Sequence, residues 1–268
     1  MGSIPVFMYH HVAPNKGDMI TITPEDFGAQ MRAIKDSGVR TLTLDEAVSA
    51  AQGTFETKEK CCVVTFDDGY LDNFVFAYPE IVCNGIKAAV FVVTDWIDAA
   101  SSAREDKKSG AADECKKRPP THHYAQTLIN EGLHYKAVMN WDMISEMRSG
   151  GLVEFHSHTM THLECDKADG ETLAIELAGS KDAINAMLNA DCRYLCWPRG
   201  RNSQLAVDTA KDAGYAGIFT TVPGVIKKGT DHFAIPRIAT KEGGGWIKSR
   251  LKIYTNPLMA DIYLKVKG

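Results

Sequence analysis

Two acidic residues, Asp67 and Asp68, stand directly after a continuous apolar run over residues 61–66. Gly69 follows them, and glycine lets the chain turn sharply at the end of a strand. Because successive side chains diverge in such a turn, one carboxylate can bind a metal while the other faces water or substrate. Acidic pairs are also common in turns without a function, so this pair alone leaves both interpretations open.

Three histidines, His156, His158 and His162, fall within seven residues and follow the apolar segment 152–155. The spacing of four predicts that His158 and His162 lie on one face of a helical turn, as in zinc-binding histidine pairs. A polar loop with incidental histidines is the alternative. A cluster of three at the end of a predicted strand favours the metal site.

The acidic pair and the histidine pair complement each other. A catalytic zinc-type site has three protein ligands and an open position for water. Asp68, His158 and His162 would supply one carboxylate and two imidazoles, which leaves Asp67 free as a base. Such a metal lowers the pKa of water from about 15.7 to roughly 7, and a carboxylate base adds about 10²–10⁴-fold in rate. This chemistry suits hydrolysis of an amide or an ester.

Several further residues adjoin these motifs. The turn at residues 197–200 (WPRG) could expose the backbone N–H of Arg199 to a tetrahedral oxyanion. His232 is a candidate general acid for the leaving amine, although a histidine in a surface loop fits the sequence equally well. The candidate substrate-binding residues are His10, Tyr70, Trp197 and the side chain of Arg199.

The elements that would position these residues alternate between strands and helices. Apolar runs at residues 61–66 and 88–93 indicate strands that are buried on both faces. Helical patterns start at Pro24, with Thr23 as the N-cap, and at Thr43. This alternation predicts a barrel or an open parallel sheet of βα units. Barrels of this kind place their sites at the carboxyl ends of the strands.

Composition narrows the class of protein. The chain has 268 residues, a net charge of −4 and 44% hydrophobic residues, which are values of a globular protein. The mild acidity argues against nucleic-acid binding, and no apolar run approaches the roughly 18 residues of a membrane span. The first residues contain no signal-peptide pattern. We therefore expect a cytoplasmic protein with reduced, buried cysteines, and a leader removed earlier is the alternative.

One segment, residues 98–135, breaks the alternation because it is polar, mixed in charge and poor in apolar periodicity. We interpret it as an insertion over one end of the barrel, within a single domain that covers residues 1–268. It is either a lid or substrate-binding loop, or a solvated and partly mobile loop. Residues 241–268 carry six basic and two acidic residues, which predicts a surface for an anionic glycan or membrane, or a solvated face.

The acidic pair, the histidine pair and the Trp-Pro-x-Gly turn, in this order, resemble the polysaccharide deacetylase family (carbohydrate esterase family 4). Segments 8–12, 23–27, 220–224 and 235–238 are similar to further motifs of the family, so the resemblance covers about residues 4–240 apart from the insertion. It implies an α/β fold, a distorted (β/α) barrel of about seven strands. It also implies removal of N- or O-acetyl groups from sugars and a divalent metal, most often Zn²⁺, with Co²⁺, Mn²⁺ or Ni²⁺ as alternatives.

Carried over residue by residue, the resemblance implies that Asp67 is the general base and that the backbone of Arg199 is the oxyanion donor. It also implies a metal held by three ligands, Asp68, His158 and His162.

Two positions depart from the family pattern. Cys196 stands where many members have an arginine that orients the base, and Arg199 stands where many have tyrosine. A cationic Arg199 side chain would bind a carboxylate or phosphate on the substrate; alternatively it points outward and only its N–H acts. The acid histidine of the family's last motif has only a loose counterpart in His232.

We therefore predict a metal-dependent hydrolase that removes an N-acetyl group from a sugar, which could be a polysaccharide, an oligosaccharide or a glycan precursor. A deformylase or ureide amidohydrolase on the same scaffold is one alternative. A glycan-binding module that has lost turnover is another; the complete aspartate and histidine set argues against it, and the missing arginine favours it. The expected partner is an N-acetylated sugar, with no nucleic acid.

Overall fold

The computed structural model describes residues 2–14 and 18–267. The strands are β1 Ile4–Tyr9, β2 His11–Val12, β3 Thr21–Ile22, β4 Arg40–Thr41, β5 Cys61–Phe66, β6 Ala88–Val92, β7 Val153–Ser157, β8 Tyr194–Cys196, β9 Gly217–Phe219, β10 Val225–Ile226 and β11 Ile238–Ala239. The helices are α1 Pro24–Asp36, α2 Leu44–Gln52, α3 Tyr78–Asn84, α4 Thr94–Ser101, α5 Glu105–Lys117, α6 His122–Asn130, α7 Trp141–Ser149, α8 Gly170–Leu188, α9 Gln204–Asp212, α10 Gly244–Tyr254 and α11 Pro257–Lys267.

The main sheet is a curled half-barrel of seven strands in the order β10-β1-β5-β6-β7-β8-β9. Every pair from β1 to β9 along this path is parallel, and β10 runs antiparallel to β1. Two short strands pair at its margins: β11 lies parallel to β1, and β4 lies parallel to β5. The α/β fold and the distorted barrel of about seven strands are thereby confirmed.

Strand β5 shows why the sequence gives this architecture. All six of its residues are buried, as the continuous apolar run predicts. Its side chains alternate between two hydrophobic clusters: Cys62 and Val64 belong to one, and Cys61 and Val63 belong to the other. A strand with apolar packing on both faces must lie inside a layered α/β structure.

Local capping sets the first two helices. The Thr23 side chain accepts a hydrogen bond from the Asp26 N–H at the start of α1. Thr43 and Glu46 form a reciprocal capping box at the start of α2. The start of α1 at Pro24 is confirmed, and α2 begins at Leu44, one residue after the predicted Thr43, which is its N-cap.

The segment at residues 98–135 is mainly helical, so its interpretation as a solvated loop is wrong. It contains the end of α4, the whole of α5 and the whole of α6. Helix α5 buries only Ala111 and Cys115, which explains why the sequence shows no apolar period there. The description of this segment as an insertion and lid stays a prediction. Within the ranges that the structure describes, no helix is long and apolar enough to cross a membrane.

Candidate active site

Most of the predicted site residues meet at the carboxyl ends of the parallel strands. Asp67 follows β5, and its N–H donates to the carbonyl of Tyr9 at the end of β1 over 3.1 Å. His158 follows β7, and its N–H donates to the carbonyl of Val92 at the end of β6 over 2.8 Å. The strand ends enclose a cleft of about 210 Å³. It is lined by His10, Ile20, Asp67, Asp68, Tyr70, His122, Gln126, His158, His162, Arg199 and Thr221.

Asp68 reaches this cleft through an unusual backbone turn. Its φ is 70°, a left-handed conformation that costs a non-glycine residue about 1–3 kcal/mol and is concentrated at functional sites. The turn places Asp68 Oδ1 3.4 Å from His158 Nε2 and 3.3 Å from His162 Nε2. Oδ1 is buried and has no hydrogen-bond partner by distance and angle among residues 2–14 and 18–267.

The histidine pair does not lie on a helical turn, so that prediction is wrong. Residues 158–162 form a loop in which Thr159 has a φ of 66° and His162 a φ of 64°, whereas a helix needs a φ near −63°. The two left-handed residues fold the loop back and bring the two rings to 5.3 Å between centroids. The His158 Nδ1 lies 2.8 Å from the carbonyl of Cys196, which leaves Nε2 facing Asp68.

Glu176 on α8 holds this loop. Its Oε2 accepts hydrogen bonds from the N–H groups of Met160 and Thr161, each over 3.0 Å. Its Oε1 accepts from the hydroxyl of Thr161 over 2.6 Å. Trp96 supports the far end of the loop, because its ring stacks on His162 at 5.3 Å.

We expect Glu176→Ala to loosen the histidine loop, because it removes the carboxylate that accepts hydrogen bonds from the N–H groups of Met160 and Thr161. The free energy of unfolding should fall by about 1–3 kcal/mol, and metal affinity should fall roughly 10–100-fold, as when outer partners of metal ligands are removed. Glu176→Gln is the matched control, since its amide oxygen can accept both N–H groups and its NH₂ can donate to the Thr161 hydroxyl. Urea unfolding and zinc titration measure both effects. Equal losses in the two variants would contradict this role.

The ligand set fits a divalent transition metal. One ligand atom from each of Asp68, His158 and His162 can be chosen so that all three lie within 4.8 Å of one another. Burial opposes ionisation of Asp68, but the two neighbouring imidazoles outweigh burial and hold its pKa well below the usual range. A buried carboxylate oxygen without a well-formed hydrogen bond, facing two imidazole nitrogens, is the donor set expected of a zinc-type site.

Asp67 is held by an arginine that the sequence did not lead us to expect. Arg237 Nη1 lies 2.7 Å from Asp67 Oδ1, and Nη2 lies 2.7 Å from Oδ2. The guanidinium also donates from Nε to the carbonyl of Thr220 over 2.8 Å, and its Nη2 lies 2.9 Å from Cys196 Sγ. Burial would raise the pKa of Asp67, but the cation of Arg237 outweighs burial and lowers it. Asp67 is therefore an ionised carboxylate that is held in one orientation.

A second trio, Asp67, His158 and Cys196, also lies within ligand distance. It suits a metal less well, because both oxygens of Asp67 already bind Arg237. Burial also raises the pKa of the Cys196 thiol, which favours the neutral form over the thiolate that binds metals.

Arg199 lines the cleft in a left-handed conformation, with a φ of 56°. Its side chain is 62% exposed, and its Nη1 donates to Glu164 Oε1 over 2.6 Å. Arg201 donates to the other oxygen of Glu164 over 3.1 Å. The charge of Arg199 is thus already paired, which weakens its predicted role in binding a substrate anion and leaves its backbone as the part of interest.

The structure brings His10 and Tyr70 into the cleft, but it leaves two other predicted residues outside. Trp197 is 1% exposed and packs in the core. His232 lies beside the amino end of β9, where its carbonyl accepts from the Ile218 N–H, and its ring packs on Phe233. Thr221 lines the cleft beyond the carboxyl end of the same strand. His232 therefore lies near the opposite end of the strand from the cleft and does not line it.

His122 and Gln126 are cleft residues that sequence reasoning missed. Both lie on α6, within the segment of residues 98–135. The only available signal was Thr121, whose side chain caps α6 by accepting from the Tyr124 N–H. A capping threonine predicts a helix start, but it does not predict which cleft the helix faces.

The model of the family described as polysaccharide deacetylase matches residues 55–218. The chain therefore belongs to the polysaccharide deacetylase family. The matched range includes the acidic pair and the histidine pair.

Individual relatives agree with the family. The Bacillus subtilis (strain 168) protein YxkH, named as a polysaccharide deacetylase, is 26% identical over 240 residues, which are 90% of this chain and 72% of that protein. Poly-beta-1,6-N-acetyl-D-glucosamine N-deacetylase of Escherichia coli (strain K12) is 21% identical over 242 residues, which are 86% of this chain and 35% of that protein.

Solved structures show the same fold. Streptococcus pyogenes deacetylase PplD, in complex with acetate, superposes with a TM-score of 0.76 at 21% identity, over 95% of this chain and 99% of that one. IcaB from Ammonifex degensii superposes with a TM-score of 0.72 at 20% identity, over 92% and 98% of the two chains.

Proposed function

We propose that this protein is a zinc-dependent N-deacetylase of acetamido sugars. One observation carries the proposal: the trio Asp68, His158 and His162 lies beside a carboxylate base, Asp67, that is fixed by Arg237 in the same cleft. A binding module needs no such base. Amide hydrolysis needs both parts, because water must be activated and also deprotonated.

The chemistry of the surroundings supports an oligosaccharide as the substrate. A groove of about 500 Å³ adjoins the cleft and shares His10 and Ile20 with it. The groove gives room for sugar units next to the one that reacts. The Escherichia coli relative is named for poly-β-1,6-N-acetylglucosamine, and we propose a β-linked N-acetylglucosamine polymer or oligomer for this chain.

In the mechanism we propose, each group in the cleft has a separate role. A divalent metal bound by Asp68, His158 and His162 would polarise the acetyl carbonyl and lower the pKa of water. Asp67 takes a proton from the attacking water, and Arg237 keeps that carboxylate ionised and oriented. The N–H of Arg199 donates to the oxyanion of the tetrahedral intermediate.

His10 replaces His232 as the proposed general acid. It lines the cleft, and its Nε2 lies 3.7 Å from Asp67 Oδ2. Burial lowers the pKa of His10, although Asp67 and Asp68 act to raise it. The ring is therefore neutral at rest near pH 7. In the proposed step His10 gains the proton that Asp67 has taken from water and releases it to the leaving amine.

We expect His10→Gln to lower kcat for acetate release about 10²–10⁴-fold, the range for loss of a general acid. His232→Gln is the matched control and should leave kcat unchanged, because its ring lies at the other end of β9. Steady-state kinetics on an N-acetylglucosamine oligomer measure both variants. If His232→Gln lost activity and His10→Gln kept it, the assignment would be reversed.

The proposed function is tested by the products that the zinc-loaded protein forms. N-acetylated and N-formylated glucosamine oligomers are supplied in parallel, and acetate, formate and free amine are measured. We expect acetate and amine in equal amounts, with loss of both after a chelator and recovery after zinc is added. Formate alone would favour the deformylase alternative. Glycan binding without any product would favour a module that has lost turnover.

A further inference from the structure

A line of side chains in hydrogen-bond contact leads from a buried carboxylate to the wall of the cleft. Asp72 and His11 are both 1% exposed in their side chains, and Asp72 Oδ2 lies 2.5 Å from His11 Nδ1. His11 Nε2 lies 3.3 Å from Nδ1 of His122, the first residue of α6. The His11 ring stacks on Tyr70 with 3.7 Å between centroids. The line ends at His122, which lines the cleft.

When both rings are neutral, the order of the contacts determines which nitrogen of each ring carries the proton. A carboxylate only accepts hydrogen bonds, so the proton between Asp72 and His11 belongs to His11 Nδ1. In a neutral imidazole the other nitrogen, His11 Nε2, is then an acceptor. The proton in the next contact must therefore lie on His122 Nδ1. This leaves His122 Nε2 as an acceptor.

The remaining contacts of His122 agree with this assignment. Its Nδ1 also lies 3.3 Å from the hydroxyl of Tyr70, which accepts a hydrogen bond from Gln126 Nε2 over 2.8 Å. Among residues 2–14 and 18–267, His122 Nε2 has no hydrogen bond or ion pair. An acceptor at the wall of a polar cleft without a protein donor is suited to a ligand that donates.

This wall is polar but uncharged. His122, Gln126, Tyr70 and Thr221 line the same cleft as the candidate metal ligands. Burial lowers the pKa of His122, which keeps the ring neutral. Neutral imidazole, amide and hydroxyl groups match a ligand rich in hydroxyls, since an anion would call for cations and an apolar ligand for apolar side chains.

We propose that His122 determines substrate specificity by accepting, at Nε2, a hydrogen bond from a hydroxyl group of the sugar, with Asp72 and His11 as positioning residues. The inference rests on the proposed function and names a contact that selects its substrate. It also gives α6 a function: the helix carries a sugar-binding side chain into the cleft.

The test pairs a change in the protein with a change in the ligand. An N-acetylglucosamine oligomer and its 3-deoxy and 4-deoxy analogues are hydrolysed by wild type, His122→Ala and His123→Ala. His123 is exposed, and its side chain has no hydrogen bond in the part of α6 that the structure describes, so it is the matched control. We expect kcat/KM of wild type and His123→Ala to fall about tenfold for one deoxy analogue, the cost of one lost hydrogen bond.

His122→Ala should hydrolyse the parent oligomer about tenfold less efficiently and should no longer distinguish that analogue from it. The inference is overturned if His122→Ala discriminates between the analogue and the parent oligomer as strongly as wild type does. It is also overturned if wild type hydrolyses both analogues as efficiently as the parent oligomer. These results differ from failure of the proposed function, in which wild type releases no acetate from the parent oligomer.

A spectroscopic measurement on the unaltered protein covers the case in which His122→Ala does not fold. Long-range ¹H–¹⁵N spectra distinguish the two neutral tautomers of a histidine ring. We expect His122 and His11 both to carry their proton on Nδ1. A proton on Nε2 of His122 would overturn the assignment, because that nitrogen could then no longer accept from a hydroxyl.

Discussion

Replacing Asp67 with asparagine is expected to lower acetate release about 10²–10⁴-fold while the protein still binds one metal ion. Asparagine has nearly the same shape but cannot take a proton from water. The three candidate metal ligands are other residues, so the metal should remain. Steady-state kinetics and metal analysis of the same preparation measure the two properties separately.

Asp208→Asn is a suitable control for Asp67→Asn, because Asp208 is an exposed aspartate on α9, outside the cleft. It should leave both activity and metal content unchanged. An Asp67→Asn protein that keeps wild-type kcat would show that Asp67 is not the base. A variant that lost its metal would instead place Asp67 among the ligands.

Replacing Arg237 with alanine is expected to have the largest effect on stability. It leaves Asp67 buried without its cation, and removal of one partner from a buried ion pair costs about 3–5 kcal/mol in the free energy of unfolding. Arg237→Lys keeps the charge but loses the bidentate contact, so its free energy of unfolding should lie between those of wild type and Arg237→Ala. Urea unfolding at pH 7 measures all three proteins.

The same variant should shift the pH dependence of activity. Burial raises the pKa of Asp67, and in wild type the cation of Arg237 outweighs burial. Without that cation the pKa of Asp67 rises, so the carboxylate becomes protonated at a higher pH. The acidic limb of the kcat profile therefore moves to higher pH. An unchanged acidic limb together with unchanged stability would contradict the role given to Arg237.

A third variant tests where the guanidinium must stand. In Arg237→Ala combined with Cys196→Arg, the arginine returns to the position at which many family members carry it. Cys196 Sγ lies 2.9 Å from Arg237 Nη2 and 3.8 Å from Asp67 Oδ2, so the new side chain starts close to the base. We expect partial recovery of activity over Arg237→Ala.

The sequence predicted those parts of the structure that depend on local patterns. The apolar run at β5 was enough to place Asp67 and Asp68 at a strand end, because burial on both faces follows from six consecutive apolar or neutral residues. The starts of α1 and α2 followed from Thr23 and Thr43, since an N-cap is a contact over three residues.

The parts that were missed depend on distant contacts or on strained backbone. Arg237 and Asp67 are 170 residues apart in sequence, and they meet because β11 pairs with β1 beside β5. The left-handed residues Thr159 and His162 have no local signal, because only tertiary contacts such as those of Glu176 stabilise that conformation. His232 was a candidate as the loose counterpart of the family's acid histidine, but the chain pairing places it beside the amino end of β9, away from the cleft.

The most direct test of the whole account is the metal content of wild type and His158→Ala, measured together with acetate release from an N-acetylglucosamine oligomer by the same samples. We predict about one zinc ion per wild-type chain after incubation with zinc, and little in His158→Ala, with acetate released only by the metal-loaded wild type. A wild-type protein that binds no zinc, or that releases acetate equally well without metal and without His158, would contradict the account.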